Sequence, residues 1–329
     1  MLKGKDPIEI GLNAAIVAMV DNDPCILRVP GQDEQFADAL PMGPFDPRKH
    51  RTMEIGLRGW VAEQTALSLG HVEQLYTFGD RGRQRTRDDA SPHVVSVGYL
   101  ALTRVQAEQM PAIRLAGADF TSWYAFLPWE DWRDGRPAML DEIILPAIRQ
   151  WLAQTDETGY ASRGMRPSAR VRIAFGLGGG LGGQWDEEHV LDRYELMYSA
   201  GLVAESVRDG RYDAIQAAGP TGRAMDYDHR RILATAMSRL RSKLKYRPVV
   251  FELLPDEFTL TELQQTVESI FGRSVHKQNF RRLVENAQLV EPTGATSTAT
   301  GGRPAALFRF RRDVLAERPA PGLRVGRRG

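Results

Sequence analysis

The sequence predicts an α+β protein that ends in a winged helix-turn-helix. Three observations carry this prediction. Short stretches with strand-like apolar alternation surround one helix-like segment in the first 105 residues. Amphipathic helical spacing recurs through the middle of the chain. Near the C-terminus a helix, a short turn, a basic helix and a hairpin follow one another, which is the order of elements in a winged helix.

The N-terminal part combines apolar strand-like stretches with one amphipathic helix. The turn residues at 21–24, Asp-Asn-Asp-Pro, join the first two stretches and predict a hairpin. Strands are expected at 12–20, 25–29, 72–78 and 93–102, and the helix at 53–69. The unit is therefore expected to be a mixed layer of strands with at least one helix.

Helical spacing predicts three further helices, at 141–155, 186–202 and 226–246. Tryptophans concentrate between 123 and 151, which favours packed structure over a linker. The third helix precedes the C-terminal module and suits a connecting or dimer-contact role, although an apolar stripe of this kind more often serves plain core packing.

The formal net charge of +1 conceals an asymmetry along the 329 residues. Residues 230–329 contain 19 Lys and Arg against 9 Asp and Glu, whereas residues 1–229 contain 24 against 33. A basic arm attracts polyanions, but arginine-rich helices can also be merely solvated. The single cysteine, Cys25, excludes an internal disulfide and a multi-cysteine zinc site, and we expect a protein of the reducing cytoplasm.

The C-terminal module begins with a capping box at Thr259 and Glu262, in which each side chain satisfies a backbone donor of the other residue. Gly272 is placed to end this first helix because glycine adopts left-handed backbone geometry cheaply. The second helix is expected to begin near 274–275. Strands at 288–291 and 305–310, joined by a Thr- and Gly-rich loop, complete the predicted wing.

The second helix has one apolar face and one face suited to DNA. Arg and Lys suit guanine edges or phosphates, and Gln and Asn suit adenine edges. Arg303, at the predicted wing tip, could enter the minor groove or hold a phosphate. The alternative is a solvated polar helix followed by an ordinary hairpin. The candidate DNA-binding residues are Lys277, Gln278, Asn279, Arg281, Arg282 and Arg303.

Several segments together resemble one known family. The N-terminal segments at 40–45, 61–67, 72–80 and 94–102 resemble a Nudix fold, and more closely the Nudix-related transcription regulators of bacterial NAD metabolism. The segments at 228–234, 247–255, 258–264, 279–282 and 302–304 resemble the linker and winged helix of the same family. The resemblance implies a Nudix-like α/β/α sandwich, with residues 110–225 as an enlargement found in a longer-chain branch.

With this resemblance the chain divides into four parts. The predicted domains are a Nudix-like effector-sensing domain at 1–225, a connecting or dimer-contact helix at 226–247, a winged helix at 248–312 and a flexible basic tail at 313–329.

The residues argue against hydrolysis by the Nudix-like domain. A Nudix enzyme holds Mg²⁺ with the carboxylates of a helix that reads Arg-Glu-x-x-Glu-Glu-x-Gly. The matching stretch here is 59–66, where only Glu63 remains of the three carboxylates. Gln64 is neutral, Trp60 is bulky, and Ala66 replaces the glycine. We therefore expect no catalytic residue and no metal site.

The resemblance implies a nucleotide effector connected with NAD, which could be ADP-ribose, NAD itself or ATP. Four arginines, Arg81, Arg83, Arg85 and Arg87, lie close together in an acidic domain and could hold phosphates, although a solvated surface loop is an equally good interpretation. The function expected is a homodimeric repressor of NAD-biosynthesis genes on a near-palindromic double-stranded operator. The alternative is a Nudix-type ADP-ribose or nucleotide pyrophosphatase with an accessory nucleic-acid-binding module.

A glycine-rich segment at 178–183 fits the dinucleotide-binding pattern G-x-G-x-x-G, after a strand expected at 171–175. Glu205 lies near the place of a ribose-binding acid. The three acids at 186–188 would repel a pyrophosphate at the next helix, so a plain glycine loop is the preferred interpretation.

Overall fold

The computed structural model describes residues 8–67, 69–80, 93–156, 164–178, 184–216, 219, 221–298, 304–317 and 322–323. Along these ranges, the helices are all too short or too polar to cross a bilayer.

A long antiparallel hairpin opens the fold. Strand β1 (Ile8–Val20) pairs with β2 (Asp23–Asp33), so that Val20 lies opposite Asp23. Asp21 and Asn22 have positive φ angles of 51° and 61°, the geometry of a type I′ turn, which matches the right-handed twist of paired strands. The predicted hairpin is therefore confirmed.

The hairpin belongs to a mixed sheet of seven strands in the order β3-β2-β1-β6-β5, with β4 also paired to β1 and β7 to β2. Strands β1 and β6 run parallel, and the other pairs are antiparallel. The remaining strands are β3 (Phe36–Ala39), β4 (Met42–Pro44), β5 (His71–Phe78), β6 (His93–Leu102) and β7 (Asp119–Ser122).

Helices cover both faces of this sheet. Side chains of successive strand residues point to opposite faces. Accordingly, Leu12, Ala14 and Ile16 of β1 pack with helix α1 (Met53–Thr65), whereas Ala15 belongs to the larger core on the other face. The result is the expected α/β/α sandwich.

The described residues between 110 and 225 are mainly helical and add to the larger core. Helix α3 (Leu145–Gln154) follows a π-helical turn at Leu140–Ile144, close to the prediction for 141–155. The strand predicted at 171–175 is wrong, because Val171, Ala174 and Phe175 are buried at helical spacing. The other helices are α2 (Met110–Leu115), α4 (Pro167–Phe175), α5 (Val190–Ser199) and α6 (Ala204–Arg208).

Helix α7 (His229–Leu244) contacts both the sheet and the C-terminal domain. The apolar stripe expected for it, including Ile232, Met237 and Leu240, is fully buried. It packs in the same core as α5 and the C-terminal domain. The stripe is therefore used inside one chain and is not free to contact a second protomer.

The C-terminal domain has the predicted order of elements, in which a three-stranded sheet of order β8-β10-β9 packs beside two helices. Part of the expected flexible tail is ordered, because Val314 is buried and the amide of Leu323 donates to the carbonyl of Leu244. The elements are β8 (Phe258–Thr259), α8 (Leu260–Phe271), α9 (Lys277–Ala287), β9 (Val290–Ser297), β10 (Ala305–Phe310) and α10 (Val314–Glu317).

Candidate nucleic-acid interface

Helix α8 has the predicted ends. At its start the amide of Glu262 donates to the hydroxyl of Thr259 (3.2 Å), and the amide of Thr259 donates to the Glu262 carboxylate (2.6 Å). At its end Gly272 has a φ of +70°. These contacts satisfy backbone groups that a helix end leaves without intrahelical partners.

The turn between α8 and α9 is held by two side chains of α8. The Glu268 carboxylate accepts the amide of Val275 (2.6 Å), and the side-chain amide of Gln264 donates to the carbonyl of Val275 (2.9 Å). Gln264 also donates to Glu268 (3.0 Å), which fixes both groups. The start of α9 is therefore held at a defined position relative to α8.

Helix α9 separates an apolar face from a polar one. Phe280 and Val284 are buried against α8 and the wing, and Leu283 is partly buried beside them. The five residues predicted for this helix all lie on the exposed side: Lys277, Gln278, Asn279, Arg281 and Arg282. The helix begins at Lys277, slightly later than expected, which places the first three of them in its first turn.

The first turn of α9 also favours anions. His276 at the N-cap makes no side-chain cap hydrogen bond, so the described part of the chain leaves first-turn amides open there. The aligned peptide dipoles add partial positive charge at this end. Arg303 of the wing lies outside the described residues, as do Arg81, Arg83, Arg85 and Arg87. Their roles stay predictions.

Helix α1 and its C-cap contain the stretch 59–66, and the side chains of Trp60 and Gln64 on it face strand β4. The ring of Trp60 lies directly over Gly43, where a Cβ would collide with it, and its Nε1 donates to the carbonyl of Pro44 (3.0 Å). One turn later, Gln64 donates to the carbonyl of Met42 (2.6 Å) and accepts its amide (3.1 Å). Both side chains are thus used to hold a neighbouring strand.

This face does not fit a Mg²⁺ ion. Glu63 is exposed and is the one carboxylate left among the matching positions, whereas such a site needs several oxygen ligands. Within the described ranges, acidic and histidine side chains form no cluster that could hold a metal. Ala66, which replaces the glycine, has a φ of 56°, a left-handed conformation that costs energy for any residue with a Cβ.

The joint between α7 and the sheet is a buried histidine. His229 accepts the amide of Leu40 at Nδ1 (3.0 Å) and donates from Nε2 to the side-chain oxygen of Asn13 (2.8 Å). Burial, with a smaller effect of Arg208, lowers the pKa of His229 to about 3. The neutral ring therefore joins β1, the chain before β4 and the first turn of α7.

The described elements around the glycine-rich segment do not match a dinucleotide-binding unit. Residues 179–183 lie outside the described residues, but the preceding element is helix α4 and not a strand. Glu205 is buried, forms an ion pair with Arg230 (3.2 Å) and accepts the amide of Met225 (3.0 Å). A carboxylate engaged in this way is not free to hold a ribose.

Sequence reasoning missed the residues that hold α8 in place. Tyr124, Trp132 and Arg241 each donate a hydrogen bond to a carbonyl near its C-terminal end. The concentration of tryptophans at 123–151 was the one signal that pointed to this region.

Comparison with known proteins agrees with this architecture. Residues 250–310 match the family described as the NrtR DNA-binding winged helix domain. The chain is 42% identical over 84 residues to the ADPR responsive transcriptional repressor NtrR of Acinetobacter baylyi, a match that covers 26% of this chain and 33% of that protein. The matched part thus spans about a third of the length of this relative.

Two solved structures share the fold across most of the chain. The structure of Shewanella oneidensis NrtR complexed with a 27mer DNA is 20% identical, with a TM-score of 0.53, over 93% of this chain and 95% of that one. A MutT/nudix family protein from Enterococcus faecalis is 15% identical, with a TM-score of 0.51, over 94% and 89%. At these identities the likeness concerns the fold. The predicted Nudix-like sandwich with a C-terminal winged helix is confirmed.

Proposed function

We propose that this chain, whose residues 250–310 match the NrtR DNA-binding winged helix domain, is a transcriptional repressor of NAD-biosynthesis genes. The observation that carries the proposal is the exposed face of α9, where basic and amide side chains stand together on a helix that two residues of α8 hold in position. A regulator of this kind acts on DNA in the cytoplasm.

The exposed residues of α9 take separate roles in the proposed complex. Lys277, Gln278 and Asn279 reach base edges from the first turn of the helix, as recognition helices commonly do. Arg281 pairs with a guanine or a phosphate, and Arg282 holds the backbone. Arg303 of the wing contacts a phosphate or the minor groove.

A homodimer on a near-palindromic operator is the arrangement that suits a single winged helix per chain. Two copies read two half-sites separated by about one helical turn or a multiple of it. Because the stripe of α7 is buried inside the chain, another surface must join the protomers.

We propose ADP-ribose as the effector, with NAD and ATP as the alternatives to be tested. The support is the description of the Acinetobacter relative as ADPR responsive. The arginines Arg81, Arg83, Arg85 and Arg87 are the proposed partners of the phosphates, since guanidinium groups bind such oxygens in pairs.

We further propose that the Nudix-like domain binds its nucleotide without cleaving it. The support is the Trp60 and Gln64 face of α1, which holds β4 where an enzyme would present carboxylates. The alternative function, a pyrophosphatase with an accessory DNA-binding module, predicts turnover. Release of AMP from ADP-ribose at enzyme-like rates with Mg²⁺ or Mn²⁺ would establish that alternative.

The decisive experiment is footprinting of the purified chain on DNA from its own genomic neighbourhood. We expect protection of two related half-sites, and a change of that protection with ADP-ribose, NAD or ATP. Protection of every sequence alike would contradict the regulator. Specific protection that no nucleotide alters would contradict the sensing role and leave DNA binding intact.

A further inference from the structure

We propose that the segment 119–132 links the seven-stranded sheet of the Nudix-like domain, the proposed sensing sheet, to α9, the helix proposed to contact DNA bases. In this proposal Tyr124, Glu130 and Trp132 are positioning residues for the helix-turn-helix. The inference rests on the proposed function and assigns a role to the first part of the enlargement.

The segment begins as part of the sensing sheet. Strand β7 pairs with β2 along four residues, from Arg28 opposite Asp119 to Cys25 opposite Ser122. The chain then makes two short 3₁₀ turns at Trp123–Ala125 and Pro128–Glu130, whose tryptophans are fully buried. A movement of β2 would therefore displace this closely packed segment as a whole, because protein interiors have low compressibility and transmit strain.

The segment ends on the carbonyl end of α8. The hydroxyl of Tyr124 donates to the carbonyl of Ser269 (2.6 Å), and the amide of Trp132 donates to the carbonyl of Gly272 (2.6 Å). Between them, Nε of Arg241 in α7 donates to the carbonyl of Ile270 (2.8 Å). Three donors from outside the helix therefore satisfy carbonyls that its last turn leaves free.

Glu130 fixes Arg241, one of these three donors, and Nη2 of Arg241 in turn donates to the hydroxyl of Tyr124 (3.3 Å). The Glu130 carboxylate accepts Nε and Nη2 of Arg193 (2.6 and 2.9 Å) and Nη1 of Arg241 (2.7 Å), and the side chains of these three residues are fully buried. Its backbone carbonyl also accepts Nη2 of Arg241 (3.2 Å). Charge-assisted pairs of this kind are directional, and a buried charge without its partner is costly, so the cluster allows little movement between its members.

Gly272 brings this cluster next to the reading helix. Its φ is +70°, and a Cβ there would meet the carbonyl oxygen of Glu130 and the hydroxyl of Tyr124. The turn that starts at Gly272 ends at Lys277, where α9 begins. Glu130 and Tyr124 therefore contact the chain directly before the side chains proposed to reach the bases.

A substitution at Gly272 tests the link with a matched control. Gly272→Ala places a methyl group against Glu130 and Tyr124, whereas Gly135→Ala imposes the same kind of left-handed strain (φ +103°) with no atom within 4 Å. Tyr124→Phe removes a single hydroxyl, so it serves if Gly272→Ala does not fold. The full-length proteins are titrated with operator DNA, with and without saturating ADP-ribose. Calorimetry gives the ADP-ribose affinity of each protein without DNA.

The expected readout is the ratio of the two operator dissociation constants. In the unaltered protein and in Gly135→Ala, ADP-ribose changes the operator Kd by roughly 5- to 150-fold, the usual range for coupled sites. In Gly272→Ala the ratio falls to about 1, and in Tyr124→Phe it falls part of the way, while ADP-ribose affinity without DNA stays within about twofold. A role in folding alone would leave the ratio unchanged in the folded fraction.

Two results would overturn the inference in different ways. A normal ratio in both Gly272→Ala and Tyr124→Phe would mean that the link does not run through this segment, and the proposed function would stand. An unaltered protein that ignores ADP-ribose, NAD and ATP would overturn the sensing function itself, and the link would fall with it.

Discussion

Acidification should weaken the fold at the joint between α7 and the sheet. His229 uses both ring nitrogens in the neutral form, one as acceptor from Leu40 and one as donor to Asn13. A second proton would occupy Nδ1, which faces the amide of Leu40, and would place a charge in a fully buried position. The folded state therefore resists protonation, whereas the unfolded chain accepts the proton freely.

The magnitude follows from the two pKa values. Burial lowers the pKa of His229 from its ordinary 6.5 to about 3 in the folded protein. The contribution of neutral His229 to the free energy of unfolding is thus fully present above pH 6.5 and is lost as the pH falls towards 3. The loss is about 2 kcal/mol at pH 5, and about 5 kcal/mol once the folded form is also protonated, at about 1.4 kcal/mol per pH unit.

Urea unfolding at pH 7 and pH 5 measures this contribution. Other groups titrate as well, so the unaltered protein is compared with His229→Gln, in which this proton is absent. We expect the stability advantage of the unaltered protein over His229→Gln to shrink by about 2 kcal/mol between pH 7 and pH 5. An advantage that stays constant over this range would refute the reasoning.

His189 provides a control with the opposite sign. Its hydrogen bond with Asp192 (2.8 Å) raises the pKa of His189 above its ordinary value. Its contribution is therefore present below pH 6.5 and is lost as the pH rises through the folded pKa. The advantage of the unaltered protein over His189→Gln should grow on acidification.

Three further predictions concern DNA contacts and a strained turn. Arg281→Ala should weaken operator binding in a gel-shift titration by about 1–3 kcal/mol, with Arg149→Ala, at an exposed position of α3, as control, and equal affinities of Arg281→Ala and the unaltered protein would contradict a DNA contact by Arg281. Arg303→Ala should weaken binding alike on all sequences and reduce the salt slope by about 1, so an unchanged slope would argue against a phosphate contact. Ala66→Gly should raise the free energy of unfolding by about 1 kcal/mol, because it relieves a left-handed alanine, whereas Ala62→Gly inside the same helix should lower it by about as much. A loss of stability in Ala66→Gly would contradict the strain.

Local signals predicted much of the fold. The turn at Asp21, the capping box at Thr259 and the left-handed Gly272 are each specified by a few adjacent residues, and each is present where it was predicted. The exposed face of α9 followed from helical periodicity alone. Resemblance to a known family was needed to assign the sandwich, because the alternation of apolar and polar residues identifies strands but does not specify their order in a sheet.

The cluster around Glu130 could not be predicted in this way. Its partners Arg193 and Arg241 lie 63 and 111 residues away in the chain, so no local pattern joins them. Charged residues are almost never fully buried unless paired, and a sequence shows the residue without its partner. The same limit explains the error at 171–175, where apolar residues fit a strand and a buried helix equally well until their neighbours are known.

The contacts of Trp60 and Gln64 with β4 have a consequence for how the proposed effector is held. A pyrophosphate carries negative charge that a Nudix enzyme neutralises with Mg²⁺, but Trp60 and Gln64 of α1 are engaged with β4. The counter-charge must then come from guanidinium groups, for which Arg81, Arg83, Arg85 and Arg87 are the candidates. We expect ADP-ribose affinity, measured by calorimetry, to be unaffected by EDTA and to fall as salt screens the arginines. Loss of ADP-ribose affinity in EDTA would mean that a metal ion takes part in binding, which would contradict neutralisation by the arginines alone.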